Sequence, residues 1–423
     1  MNPVIRRIVF LSVVFLLLWS MAARAQAPAG LSAKERLGVF HRVWRLVNER
    51  YYDAAFNGAD WKTARDRYQP RVEAAASDRV FYELLEQMVG ELRDAHTHVR
   101  NPLQRYLRDH LQHISAGVSF YEVEGQAAVL DVGRDSVAAR AGIVPGMILR
   151  AIDGRPVAER LAELRRRVGM SSSERAARLL VYSYLLEGEP GTEVSLTLTR
   201  ETGNPLTVKL PRMIAAAQPR VTAYRLPSGF GYMHLNRWKA PAAALVRAEL
   251  ERMRDWPGLI LDLRGNGGGE TGVVLETGTS FFAEQVSFGQ FFQRTGKVTS
   301  LKTGRPGSQL SGAPLVILVN EGSASGSEMY AAALRDQGRA LIVGQQSCGC
   351  LLAAERERLP GGGELSLSIF GYLTPRGHRV EGAGITPDFS VPLRLADLRA
   401  HRDSALEKAE EVLGNMAAGK ERQ

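Results

Sequence analysis

The apolar positions change period twice along the chain. From Leu31 to about Pro102 they keep a helical rhythm. Phe40, Val43, Trp44 and Val47 recur at spacings of three and four, as one buried helix face requires. The turn-rich stretch Phe56-Asn57-Gly58-Ala59-Asp60-Trp61 breaks that rhythm. Ser77-Asp78 then caps a second helix, with Phe81, Leu84, Leu85, Met88 and Leu92 as its apolar stripe. It runs out at Asp94-Ala95-His96-Thr97-His98.

Between about Gln112 and Arg212 the pattern shortens to strands. Gly117-Val118-Ser119-Phe120 precedes a strand from Ala127 to Val132. Small residues from Ala138 to Ile143 start a helix, Pro145-Gly146 makes a turn, and Ile152-Asp153-Gly154-Arg155-Pro156-Val157 reads as a hairpin. A helix-rich stretch leads to an alternating strand, Thr192 to Arg200. This succession resembles a bacterial PDZ domain. Such domains add a peptide as an extra strand and hold its carboxylate in a backbone nest, which here implies Gly117, Val118, Ser119 and Phe120.

From about Thr222 to Asp397 strands and helices alternate. Leu259 to Leu263 and Pro314 to Val319 are near-continuous apolar runs, as strands buried on both faces require. Gly229 to Leu235 is a further strand. Ala240 to Arg254 and Ser325 to Asp336 are helices. The alternation predicts an α/β layer structure with a mainly parallel sheet. The expected segments are therefore 31–102, helical; 112–212, PDZ-like; 222–397, α/β; and a charged helical tail, 398–423.

The first residues change the picture of where this protein works. Arg6 and Arg7 precede an apolar run, Ile8 to Trp19, too short for a bilayer span of about 20 residues. Ala23-Arg24-Ala25 follows with small residues where a signal peptidase reads. The expectation is a signal peptide, 1–25, cut after Ala25, and a periplasmic or secreted protein with no stable membrane span afterwards. At 45% hydrophobic and 23% charged the composition is that of a globular protein. The formal charge of +9 includes three arginines of the removed segment. The longest basic cluster, Arg165-Arg166-Arg167, has no interleaved aromatics, so no nucleic-acid partner is implied. The only cysteines are Cys348 and Cys350. An oxidising compartment permits a bond, but residues two apart close a tight ring, and the reading leaves them unpaired. Without a nearby His or second Cys pair they make no zinc set, and no metal is expected.

Four segments carry chemistry. Asn320-Glu321-Gly322-Ser323-Ala324-Ser325-Gly326-Ser327-Glu328 joins a buried strand to a helix. A serine there stands at a helix N-terminus, where free N–H groups favour developing negative charge. Alone it is more often an N-cap signal. Asp262-Leu263-Arg264-Gly265-Asn266-Gly267-Gly268-Gly269 exposes backbone N–H groups to a ligand but lacks the Lys-Ser/Thr ending of a phosphate loop. Asp94-Ala95-His96-Thr97-His98 offers a histidine as general base for a serine hydrolase, though a lone His is more often structural. Glu381, before a Gly-rich bend in Val380 to Asp388, offers a carboxylate to orient it.

In this order, with the PDZ-like region among them, these segments resemble the carboxy-terminal processing (tail-specific) protease family. That family's pattern is Asp-x-His-Thr, a PDZ domain, Asp-x-Arg-x-Asn-x-Gly-Gly, Ser-Ala-Ser-x-Ser-Glu and Glu-Gly-x-Gly-Ile-x-Pro-Asp. The resemblance covers about residues 35 to 393. It implies a crotonase-like (ClpP-like) α/β catalytic domain, no metal or organic cofactor, protein or peptide substrates, and Ser325 as nucleophile.

One departure matters. The commonest members pair the nucleophile with a Lys 25 residues later, and that position is Cys350; the Gln four further on is Ala354. A Ser-Lys dyad cannot be built. The tricorn-core and chlamydial secreted protease branch, which uses Ser, His and Glu, is more similar. It implies His96 as base, Glu381 as orienting acid, and an oxyanion site between the Gly326 and Gly268 N–H groups. The expectation is an exported serine endopeptidase working through an acyl-enzyme. The alternative is a silent peptide- or ligand-binding relative that kept the fold and lost the dyad. Oligomeric state is not legible.

Overall fold

The computed structural model describes residues 30–305 and 313–419. The expected signal peptide and its cleavage point lie outside the described residues.

A six-stranded sheet forms the centre. Its order is Val221–Arg225, Gly231–Leu235, Leu259–Asp262, Leu315–Val319, Leu341–Gly344 and Phe389–Ser390. Only the first pair is antiparallel. The two apolar runs are its middle strands, and the pleat divides them. Leu259, Leu261, Leu315, Ile317 and Val319 pack on one face, under the helices Ala242–Arg252 and Gly326–Asp336. Ile260, Val316 and Leu318 pack on the other, against Ala409, Val412 and Leu413 of helix Ser404–Ala417. That last helix, read from its charges as a tail, is thus the cover of one sheet face.

A second sheet was not legible. Glu364–Leu373 pairs antiparallel with His98–Arg100, Ala353–Arg358 and Ser287–Phe292, and the last pairs with Val298–Lys302. The N-terminal helices Ala33–Arg50 and Asp78–Gly90 bury Phe40, Val43, Phe81 and Leu85 in one core with Leu365, Leu367 and Ile369 of this sheet. The helical region is therefore joined to the rest by a shared core rather than standing alone. A third helix, Trp61–Glu73, follows the turn-rich break, in a stretch read as helical in general but with no helix singled out there. It is polar overall and carries Pro70, and only Trp61, Ala64, Tyr68 and Val72 are buried.

The middle of the chain forms an antiparallel sheet in the order Val118–Val123, Gln126–Val132, Ile148–Ile152, Glu193–Thr199, Leu206–Pro211, around its own core. Where the chain enters and leaves, Gln112–Ser115 pairs with Met213–Ala216, which closes the unit. Val118–Val123 is an edge strand. Two helices follow the hairpin, Val157–Val168 and Glu174–Ser183. The N-terminal end of the second reaches the central domain.

Candidate active site

The nucleophile turn is built by its neighbours' hydroxyls. Ser323 and Ser327 are fully buried. Ser323 Oγ donates to Leu263 O at 2.8 Å, and Ser327 Oγ to Asn266 O at 2.8 Å. Trp238 Nε1 donates to Ser327 Oγ at 2.8 Å. Both serines thus tie the turn to the Asp262–Gly269 loop. Of the three, only Ser325 is incompletely buried. It stands at the N-cap of the helix Gly326–Asp336, with φ +52° and ψ −114°. A non-glycine residue there is strained, and strain of this kind persists only where surroundings over-determine it.

Those surroundings are specific. The Ser325 N–H donates to Cys350 O at 2.9 Å and to Glu328 Oε2 at 3.0 Å. Glu328 is fully buried and also accepts from Ser347 Oγ (2.6 Å), Gly349 N (2.7 Å) and Cys350 N (3.0 Å). Burial pushes its pKa up, against four hydrogen bonds that favour the anion. The residue was singled out in sequence only as part of a motif.

Gly268 presses on Ser325. A Cβ built there would lie 2.7 Å from Ser325 Cβ, 2.8 Å from Ala324 O and 2.8 Å from Gly326 N, and its φ is +97°. Only glycine fits. Its N–H donates to Asn266 Oδ1 at 3.0 Å, so the expected second oxyanion donor is engaged within its own loop. The Gly269 N–H lies beside Gly326, 3.4 Å from a Cβ built on that residue.

At the position of the missing Lys, Cys348 and Cys350 form a disulfide, contrary to the sequence reading. The segment's backbone is gripped on both sides, by Glu328 as above and by Cys348 N donating to Ser323 O at 3.0 Å. That grip holds the two sulfurs where a ring can close. The two residues are 2% and 3% exposed, and Ala95 and Ala324 pack against the same cluster. Residues 95 and 324, each next to a predicted catalytic side chain, thus meet over one small core.

His96 sits in a turn made by Asp94, whose Oδ1 accepts the His96 and Thr97 N–H groups at 2.7 Å each. Burial lowers the His96 pKa, and the Asp94 charge opposes this. His96 Nδ1 is buried without a hydrogen-bond partner. Its rival His98 is in a strand, also depressed well below the ordinary range by burial and then by the Arg100 charge. Glu381 Oε2 accepts from Leu351 N at 2.6 Å, while Oε1 is buried and unpaired. Burial, then Asp94, raise its pKa to about 8.

The segment that sequence reasoning missed is 172–178, at the start of helix Glu174–Ser183. It contacts every chemistry-bearing turn except the glycine loop. Ala95 N donates to Ser172 Oγ at 2.9 Å, and Ser173 Oγ donates to Cys348 O. Arg175 donates to Ser347 O (2.6 Å) and Ala383 O (2.8 Å), and Arg178 pairs with Glu321 at 3.2 Å. In sequence, Ser171-Ser172-Ser173-Glu174 signals only a helix cap.

On the predicted peptide strand, the Gly117 N–H donates to Ser115 Oγ at 3.0 Å. Val118 begins the edge strand, and Phe120 is buried while Ser119 is exposed. A cavity of about 260 Å³ opens beside this strand, lined by Glu122, Leu161, Arg165, Arg178, Val181 and Tyr182. Among the described residues no group of three or more His, Cys, Asp or Glu is placed to hold a metal, and no helix is long and apolar enough to cross a membrane.

The profile of Peptidase family S41 matches residues 229–391, and that of the Tricorn protease C1 domain matches residues 32–90. A carboxyl-terminal-processing protease of Picosynechococcus sp. is 31% identical over 83% of this chain and 82% of its own length. Carboxyl-terminal-processing peptidase 3, chloroplastic, of Arabidopsis thaliana is 30% identical over 84% and 69%. Among solved structures, a photosystem II D1 C-terminal processing protease superposes with TM-score 0.58 at 26% identity, covering 90% of this chain and 98% of the other. Mature CPAF superposes with TM-score 0.70 over 92% and 98%; at 15% identity that likeness concerns the fold alone.

Proposed function

The chain belongs to peptidase family S41, the carboxyl-terminal-processing serine peptidases, and from that premise we propose that it cleaves peptide bonds through Ser325, His96 and Glu381. Ser325 Oγ attacks the scissile carbonyl while His96 takes its proton. The imidazolium then gives that proton to the leaving amine, and water resolves the acyl-enzyme by the same route. Glu381 orients the ring. His96 Nδ1 and Glu381 Oε1 are both buried and have no partner in this structure; the reading requires one hydrogen bond between them, from the Nδ1–H of neutral His96 to ionised Glu381, whose charge the imidazolium offsets during turnover. The oxyanion sits on the Gly326 N–H and on the Gly268 N–H. The latter must leave Asn266 Oδ1, exchanging a neutral acceptor for an anionic one, which is the stronger bond.

The observation that carries this reading is the contrast among the three serines. Ser323 and Ser327 are buried and spent on backbone carbonyls, whereas Ser325 is strained, accessible and backed by Gly268. The open edge at Gly117 to Phe120 and the cavity beside it support peptide capture by a PDZ-like domain on a crotonase-like catalytic core. The segment 1–25 supports export to the periplasm or beyond. A fluorophosphonate probe tests the chemistry: it should label wild type and not Ser325→Ala. Undiminished peptidase activity in Ser325→Ala would sink the reading.

A further inference from the structure

We propose that Ser172 is a positioning residue of the hydrolytic reaction, whose hydroxyl ties the His96 turn to the Glu381 turn and sets the separation of the two side chains. The inference rests on the triad reading above.

The position of Ser172 is defined from three sides. Its Oγ accepts the Ala95 N–H at 2.9 Å, one residue before His96. Its carbonyl oxygen lies 3.4 Å from where a Cβ on Gly382 would stand, one residue after Glu381. Its neighbours Ser173 and Arg175 are anchored on Cys348 O, Ser347 O and Ala383 O. A hydroxyl has one proton to give and two lone pairs. Accepting from Ala95 leaves that proton free, and the Ser172 hydroxyl favours the charge of the Glu381 carboxylate, whose Oε1 has no hydrogen-bond partner in this structure. The same oxygen can therefore accept from the base's turn and donate to the acid.

The consequence is that the antiparallel unit, 112–212, completes the catalytic pair rather than only lying near it. Glu381 is surrounded by groups that disfavour its charge. Burial acts first, then Asp94, with Glu328 beyond. Against these, Ser172 and the Leu351 N–H are the contacts that favour the anion. Ser172 is the one supplied by a different unit of the fold, so it can make the anion depend on docking of helix Glu174–Ser183.

The test compares wild type, Ser172→Ala and Ser172→Thr, as full-length proteins, on a fluorogenic peptide from neutral to alkaline pH. Ser325 probe labelling is run in parallel. Ser172→Ala should lower kcat/KM by about tenfold or more, since small misplacements of reacting groups cost on that order. It should also move the acid limb of the profile to higher pH, because a contact favouring ionised Glu381 is gone. Ser172→Thr keeps the hydroxyl and should return both toward wild type. The limb's midpoint does not depend on how much of a variant is folded. An unmoved limb in Ser172→Ala, whether the rate falls or not, overturns the positioning role while leaving labelled Ser325 intact. Absence of Ser325-dependent labelling in wild type would instead remove the triad itself, and the inference with it.

Discussion

The Glu328 carboxylate receives the Ser325 N–H at 3.0 Å from within the same helix turn, and the Cys350 N–H, also at 3.0 Å, from a separate segment. One buried acid thus locks the nucleophile turn to the segment where commoner relatives carry a lysine. Glu328→Gln would place an NH2 group among four donors. The expected cost is about 1–3 kcal/mol of stability for buried groups left unpaired. Ser325 labelling should slow by at least about tenfold, as misplacement of the nucleophile predicts. Thermal unfolding and probe kinetics read the two effects separately, and wild-type values for both would show that the lock does not matter.

Gly268→Ala is expected to act on rate more than on fold. Its Cβ would meet Ser325 Cβ at 2.7 Å and Gly326 N at 2.8 Å. A left-handed alanine costs roughly 1–2 kcal/mol. Displacing an oxyanion donor costs on the order of 100-fold in rate. Measured kcat should therefore collapse while the cooperative unfolding transition survives.

The pH dependence has a definite sign. Turnover needs ionised Glu381 and neutral His96. Burial raises the Glu381 pKa to about 8, so activity is lost as pH falls through that value. Burial lowers the His96 pKa, so the neutral base persists below its ordinary range and does not set the limb. The acid limb of kcat/KM for the free enzyme, which reports such groups, should lie near pH 8 and disappear in Glu381→Gln. A limb unchanged by that substitution would assign it elsewhere, with Asp94→Asn the next variant to examine.

Cys350 occupies the lysine position but is held in a buried disulfide. It is therefore expected to be a support and not a base. Cys350→Ala should keep probe labelling of Ser325, whereas His96→Ala should lose it. The reverse pattern would mean that the sulfur takes part in the reaction.

By itself the sequence determined many of the local elements and the family, and it proposed the chemistry they carry. Apolar runs at Leu259 and Leu315 could only be strands covered on both faces, because no polar side was left to meet water. The order of four short motifs identified the family and singled out Ser325, His96, Glu381 and the glycine loop. What it could not determine were contacts between segments whose residues look ordinary alone. Trp61–Glu73 does carry a stripe, on Trp61, Ala64, Tyr68 and Val72, but with one small residue in it and polar residues all around, the pattern is weak in sequence. Ser172, Ser173 and Arg175 look ordinary in a helix-rich stretch, yet they bond backbone atoms at residues 95, 347, 348 and 383. Pairing of Cys348 with Cys350 likewise depended on the grip of Glu328 and Ser323 on that loop. Backbone groups donate and accept hydrogen bonds whatever their side chain, so such contacts leave no periodicity or motif behind. Only the tertiary structure could decide them.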